Sequence, residues 1–335
     1  MYVFKSYFII ILLTSIVTIS NAQNARQRVD FVKVSTQSRG IAVAANNDVW
    51  YVTSSGAIGC WSNGVLKFEK PIRTSDTLDY RSIAVLDNGT IVVANAGSPA
   101  FLLKSFDNAT TFVEVYVDKR PQAFIDCIYF LDDKYGYVLG DPIDSVFQNL
   151  TSTDGGTTWQ NVDARFIPKA QKNEVAFASS NSNINELDGR IVFATGGQSG
   201  RLLFENSEGE EHLAKNTPML QDSSMQGIYS IDISKINNKI VIAGGDYKRQ
   251  TSNRKTIFVS EDEGASWVNL NTKEGPSYVS CVKISPINSD IIITGGNGLY
   301  ITYNAGKSWQ KVSDENVYTL CFDKVGKRVF YSTKK

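Results

Sequence analysis

Beyond residue 22 the apolar positions recur with the two-residue period of strands, not the 3.6-residue period of amphipathic helices. Short runs rich in Val, Ile, Phe and Tyr are separated by clusters of Gly, Asn, Asp and Ser. Several of these runs end in small residues: IVVANAG from Ile91, IVFATGG from Ile191, IVIAGGD from Ile240 and IIITGGNG from Ile291. Small residues at a strand end allow close backbone approach, as a crowded centre requires.

An octamer recurs between the runs. It reads STDGGTTW at Ser152–Trp159, SEDEGASW at Ser260–Trp267 and TYNAGKSW at Thr302–Trp309, with a worn copy, SFDNATTF, at Ser105–Phe112. Asp107 lies 47 residues before Asp154, and Asp262 lies 42 before Asn304. The gap of 108 residues from Asp154 to Asp262 fits two units, one without the octamer. A unit of about 40–50 residues holding four strands is the pattern of a propeller blade. The spacing predicts an all-β propeller of seven four-stranded blades, six and eight being the neighbouring counts. The units begin near Ser38, Tyr80, Gln122, Glu174, Gln226, Tyr278 and Val317. The last is short, and the segment from Arg28 to Ser35 is expected to supply a strand to it and close the ring.

A pattern used once per unit is architecture before it is chemistry. Asp154, Asp262 and Asn304 are read as acceptors for turn amides between third and fourth strands. Glycine takes the positive-φ position of each turn. Trp159, Trp267 and Trp309 then bury their rings between blades.

The first residues differ. Lys5, the apolar run Tyr7–Ile19 and Ser20-Asn21-Ala22 form an expected signal peptide over 1–22, leaving 23–335 as one propeller domain. The protein is therefore expected to be exported, to the periplasm, the cell surface or the medium, and to be monomeric and not membrane-inserted. Lys+Arg and Asp+Glu both total 34, so no net charge draws the chain to nucleic acid. The four cysteines form no CxxC pair and are read as buried apolar residues, with Cys281–Cys321 a disulfide that an oxidising compartment would permit.

The octamer S-x-D-x-G-x-T/S-W resembles the Asp-box (BNR) repeat of β-propellers. Further signposts are Arg39-Gly40, Leu78-Asp-Tyr-Arg81, Phe124-Ile-Asp-Cys127, GYVLGDPI from Gly136, Ile167-Pro168, Thr195-Gly-Gly197 and Gly244-Gly-Asp-Tyr247. With them the chain is similar to exported bacterial propellers of the photosystem II stability/assembly-factor type, a group often labelled oxidoreductase or glycosyl hydrolase. The resemblance implies a recognition module whose arginine-bearing central face contacts a protein or glycan partner. Arg39 and Arg81 are the arginines so implied, with Asp141, Glu174, Asp246 and Tyr247 as polar neighbours.

Enzymatic alternatives narrow quickly. His212 is the sole histidine, so no cluster of histidines is present for a metal, and no GxGxxG opens a helix. No metal and no cofactor is expected. A Ser-His-Asp arrangement would depend on His212, whose surroundings read as surface. Glycoside hydrolysis needs only two carboxylates on a groove, and Asp126, Asp141, Glu174 and Asp246 fall near inner-strand starts. A sialidase reading offers Arg39, Arg81 and Arg201 as a triad but lacks the Arg-Ile-Pro motif near the first unit. The reading is thus a binding module first and a glycoside hydrolase second.

Overall fold

A computed structural model of the chain describes residues 29–73, 78–205, 213–251 and 255–334. The expected signal peptide and His212 lie outside the described residues. Within them the fold is an all-β propeller. Four of its sheets are simple four-stranded meanders. The first is Ser38–Val43, Val49–Thr53, Ala57–Ser62 and Val65–Pro71; the second is Tyr80–Val85, Ile91–Asn95, Ala100–Ser105 and Val113–Asp118. The third runs from Ile125–Phe130 to Gln160–Asn161, and the fourth from Ile184–Leu187 to Ala214–Asn216. The middle strands are continuous apolar runs because both of their faces meet neighbouring sheets. Val49–Thr53, Ile91–Asn95 and Ile240–Asp246 are buried at every position.

Hydrogen bonding connects six sheets, where the sequence reading counts seven units. The physical reason is one shared strand. Gln310–Phe322 pairs through its first half with Asn288–Thr302 (Leu299 opposite Ser313) and through its second half with Arg328–Thr333 (Leu320 opposite Tyr331). Two units thereby merge into one five-stranded sheet. Its far edge is the N-terminal strand Asp30–Thr36, which lies parallel to Arg328–Thr333 with Phe31 opposite Val329. Innermost strands touch their neighbours around a closed circuit, the last returning to Ser38–Val43.

The fourth unit departs from expectation. Its inner strand is Ile184–Leu187, not a strand beginning at Glu174. Glu174–Val175 instead pairs with Gly196–Gly197 as an annex of the next sheet. The residues between, Ala176–Asn183, cross the axis. Asn181 accepts from the Ile128 amide (2.9 Å) and donates to the Ile83 carbonyl (2.8 Å). Ser180 donates to the Ser280 carbonyl, Ser182 to Ser230, and Thr319 to the Ser180 carbonyl. This Ser/Asn segment satisfies inner-strand polar groups on several sheets at once and plugs the axial channel.

The octamers lie where third and fourth strands meet. Asp154 accepts from the amides of Thr157 (3.0 Å) and Thr158 (2.9 Å), and Ser152 accepts from the Gly156 amide (2.8 Å). Asp262 and Asn304 repeat the arrangement toward Ser266 and Ser308. The Ser266 hydroxyl, and then its amide, hold the Asp262 carboxyl down at about 2. The tryptophans differ in burial. Trp309 is buried and donates to the Leu270 carbonyl (3.0 Å). Trp159 is half-buried edge-on to Phe130, and Trp267 is half-buried against the apolar core between the fourth and fifth units.

All four cysteines are free thiols, which corrects the expected Cys281–Cys321 bridge. Cys281 packs with Val317, Leu320 and Val329, whereas Cys321 packs with Val34, Ile41 and Phe330. The two thiols thus belong to the apolar layers on opposite sides of the last sheet.

Candidate functional site

The propeller centre is built by a recurring irregularity. In six inner strands the pairing skips one residue: Arg39, Arg81, Asp126, Tyr229, Ser280 and Tyr318. A bulge leaves one residue unpaired and re-aims its side chain. Each bulged residue is followed by a small one, namely Gly40, Ser82, Cys127, Ser230, Cys281 and Thr319. Glycines on the second strand make room for the bulge. A Cβ on Gly244 would stand 1.9 Å from the Gly227 carbonyl oxygen, and one on Gly296 would stand 2.2 Å from that of Tyr278.

The bulged residues divide the hub into two halves. Arg81 is held by Asp79, at 2.8 Å through Nε and 2.5 Å through Nη2. Asp126 is fully buried, and neither carboxyl oxygen has a hydrogen bond of ordinary geometry. Burial, and then the neighbouring Asp141 charge, push it well above the usual carboxylate range, with Arg81 opposing. Asp141 is raised to about 6 by burial, against a hydrogen bond from the Ala176 amide (3.0 Å). It lines an open cleft shared with Gln122, Gln171 and Glu174.

The other half is aromatic. The Arg39 guanidinium lies 4.0 Å over the Tyr318 ring and reaches the Ser179 carbonyl at 3.5 Å. Tyr229 stacks on Phe177 at 4.1 Å and meets Tyr278 edge-on at 5.4 Å; Tyr247 meets Tyr278 at 6.2 Å. Tyr247, Tyr278 and Tyr318 line one pocket with Gln250, Asn316 and Lys334.

The structure therefore gathers some sequence candidates and separates others. Tyr247 lines the tyrosine pocket while Arg39 lies over the ring of one of its walls, Tyr318, and Asp126 and Asp141 couple to each other. Glu174 is buried and locked by Arg201, whose Nε and Nη2 stand 2.9 and 2.6 Å from its two oxygens, with Thr195 and the Gln171 amide as further donors. Asp246 is held by Gln226 and Arg249. Arg201 is committed to Glu174, so an Arg39–Arg81–Arg201 triad has two of its members already paired. Tyr229, Tyr278 and Tyr318 escape the sequence reading. Tyr229 and Tyr318 carry a legible signal, since they occupy the unit position of Arg39 and Arg81.

Among the described residues no group of three or more His, Cys, Asp or Glu side chains is placed to hold a metal. No described helix is long and apolar enough to cross a membrane.

No protein-family model matches the chain. A xyloglucanase from a Paenibacillus species is 23% identical over 316 residues, which cover 82% of this chain and 29% of that protein. The chain thus spans under a third of the length of this curated relative. Among solved structures, YCF48 bound to D1 peptide superposes with a TM-score of 0.62 at 14% identity, covering 90% of this chain and 91% of that one. A Niastella koreensis GH74 enzyme gives 0.59 at 14% identity, covering 90% and 54%. At these identities the likeness is one of fold: the chain is a β-propeller similar to binding proteins and to hydrolases alike.

Proposed function

We propose that this chain is an exported, seven-bladed propeller that acts as a binding module through its central face. The count of seven takes the strand Gln310–Phe322 as the outer strand of one blade and the inner strand of the next. The octamers serve as Asp-box rivets between blades. The observation that carries the binding role is the hub's division of labour. Three of its four candidate carboxylates are paired or buried, whereas Tyr247, Tyr278 and Tyr318 line a pocket. YCF48 was solved with a peptide, and the xyloglucanase is named for a glycan, so protein and glycan are the two partner classes to test. The experiment is capture from an envelope or secreted fraction with the wild-type chain and with Tyr247→Ala. A partner held by both equally would place recognition elsewhere on the surface.

A second reading rests on Asp141. A carboxyl raised to about 6 at an open cleft, coupled to Asp126, has the protonation of a general acid. Hydrolysis also needs a second carboxylate that reaches the sugar, and Asp126 is fully buried. Reducing-sugar release from xyloglucan that is abolished by Asp141→Asn would establish this reading over the first.

A further inference from the structure

Counter-charge is unevenly shared among the buried acids. Five carboxylates are buried among the described residues: Asp118, Asp126, Glu174, Asp246 and Asp323. Four of them hold an arginine, namely Arg120, Arg201, Arg249 and Arg328, at 2.6–3.2 Å. Asp126 holds none, and neither of its oxygens has a hydrogen bond of ordinary geometry. Arg81 is near enough to act on its charge, but the Arg81 fork is closed on Asp79. A buried acid without a counter-charge keeps its desolvation penalty.

The same deficit reaches the surface through Asp141. Its charge is the largest one acting on Asp126, and it too has no cation within ion-pair distance among the described residues. Its Oδ1 accepts from the Ala176 amide (3.0 Å), which leaves Oδ2 unengaged. Asp141 lines an open cleft of about 390 Å³, within the size range of ligand pockets. Gln122 and Ser145 on its walls carry further side-chain acceptors, and Glu174, also there, is already neutralised by Arg201. The one cation on the walls, Lys172, is exposed and makes no ion pair with Asp141. The cleft thus presents acceptors and unbalanced negative charge, without the fork of donors that the other buried acids meet.

We infer that the cleft at Asp141 receives an arginine side chain from a protein partner. This rests on the proposed reading of the central face as a binding surface and names the partner's chemistry. The molecule supplies its own precedent at Glu174, where Nε and Nη2 of Arg201 meet the two carboxylate oxygens. An incoming guanidinium would donate to Oδ2 of Asp141 and to Gln122, and its charge would offset that of the neighbouring Asp126. Arginine suits the place better than lysine, because its donors form a planar fork and its charge is more weakly hydrated.

The test is calorimetric titration, at about 0.15 M salt, with the end-capped peptide Gly-Ser-Arg-Ser-Gly, its citrulline counterpart and free N-acetylarginine amide. The arginine peptide is expected to bind, with the citrulline peptide at least about tenfold weaker, as loss of a charge-assisted hydrogen bond implies. Asp141→Asn should lower arginine-peptide affinity by about 10- to 100-fold without lowering the melting temperature. The charged groups around Asp141 are Asp126 and Arg81 on the hub side, and Lys172 and the Arg201-bound Glu174 on the cleft side. Asp141 has a folded value of about 6, so arginine-peptide affinity should fall about tenfold from pH 7.5 to pH 5 as the carboxylate takes up its proton. Equal affinity for the citrulline peptide, indifference to Asp141→Asn, or equal affinity for N-acetylarginine amide would each overturn the inference, the last by assigning the cleft to a small cation. If the arginine peptide fails to bind while Tyr247→Ala still abolishes partner capture, the arginine assignment falls and the binding-module reading stands. If the peptide fails and capture ignores Tyr247→Ala, both fall.

Discussion

The Glu174–Arg201 pair decides whether one half of the hub is structure or site. Both side chains are nearly sealed from solvent, at 0% and 8% exposure, and both oxygens of the carboxylate are engaged. Arg201→Met would leave Glu174 charged among only Thr195 and the Gln171 amide. Breaking a buried pair on one side costs about 3–5 kcal/mol, because the surviving charge keeps its desolvation penalty. For a domain of this length the unfolding entropy is roughly 0.6 kcal/mol per degree, so the melting temperature should fall by about 5–8 °C. Adding Glu174→Gln, which keeps the size and the contacts to Thr195 and Gln171, should recover most of that loss. The assay is a double-mutant cycle by calorimetry, with urea unfolding as the second probe. A loss below about 1 kcal/mol for Arg201→Met would put the pair on a par with exposed ones and refute the argument.

Three further outcomes follow from particular contacts. Asp141 has a folded value of about 6, above its unfolded value near 4, so the folded state favours its protonated form. Its contribution is therefore most favourable below about pH 4 and is lost as pH rises through 6; Asp141→Asn should be more stable than wild type by about 1–2 kcal/mol at pH 7.5 and lose that advantage at pH 4, as read by thermal melts. Trp309→Phe should cost about 1–3 kcal/mol for the orphaned Leu270 carbonyl, whereas Trp267→Phe, which deletes a buried N–H lacking a partner, should cost under about 1 kcal/mol; equal losses by urea titration would contradict these indole assignments. Asn181→Ala strips partners from the Ile128 amide and the Ile83 carbonyl and should destabilise by about 2–4 kcal/mol, with faster hydrogen exchange at Ile128; unchanged exchange would show that the plug does not seal the axis.

Much of the fold is legible because strand period, octamer spacing and small-residue endings are all local signals. The turns at Asp154 and Asp262 depend on residues within four positions of each other, so the letters suffice. The plug is not legible. Val175-Ala-Phe-Ala-Ser-Ser180 has the alternation of an inner strand, and only the contacts of Asn181 and Ser180 with distant sheets show that it leaves the strand path. Pairing is hidden for the same reason. Glu174 and Arg201 are 27 residues apart, and nothing near either residue announces that they neutralise each other. The merged last sheet is likewise invisible, since its strand continuity comes from pairing on two sides of Gln310–Phe322.

The parallel edge strand has a consequence for synthesis. Phe31 lies opposite Val329, so the first strand finds its partner only after nearly the entire domain has emerged. Until then it is an unclaimed apolar ribbon, and a nascent chain stalled short of residue 328 would expose both lips of an unsealed circle. An organism making this protein must keep that ribbon from wandering, so chaperone demand should peak just before the final strand is delivered.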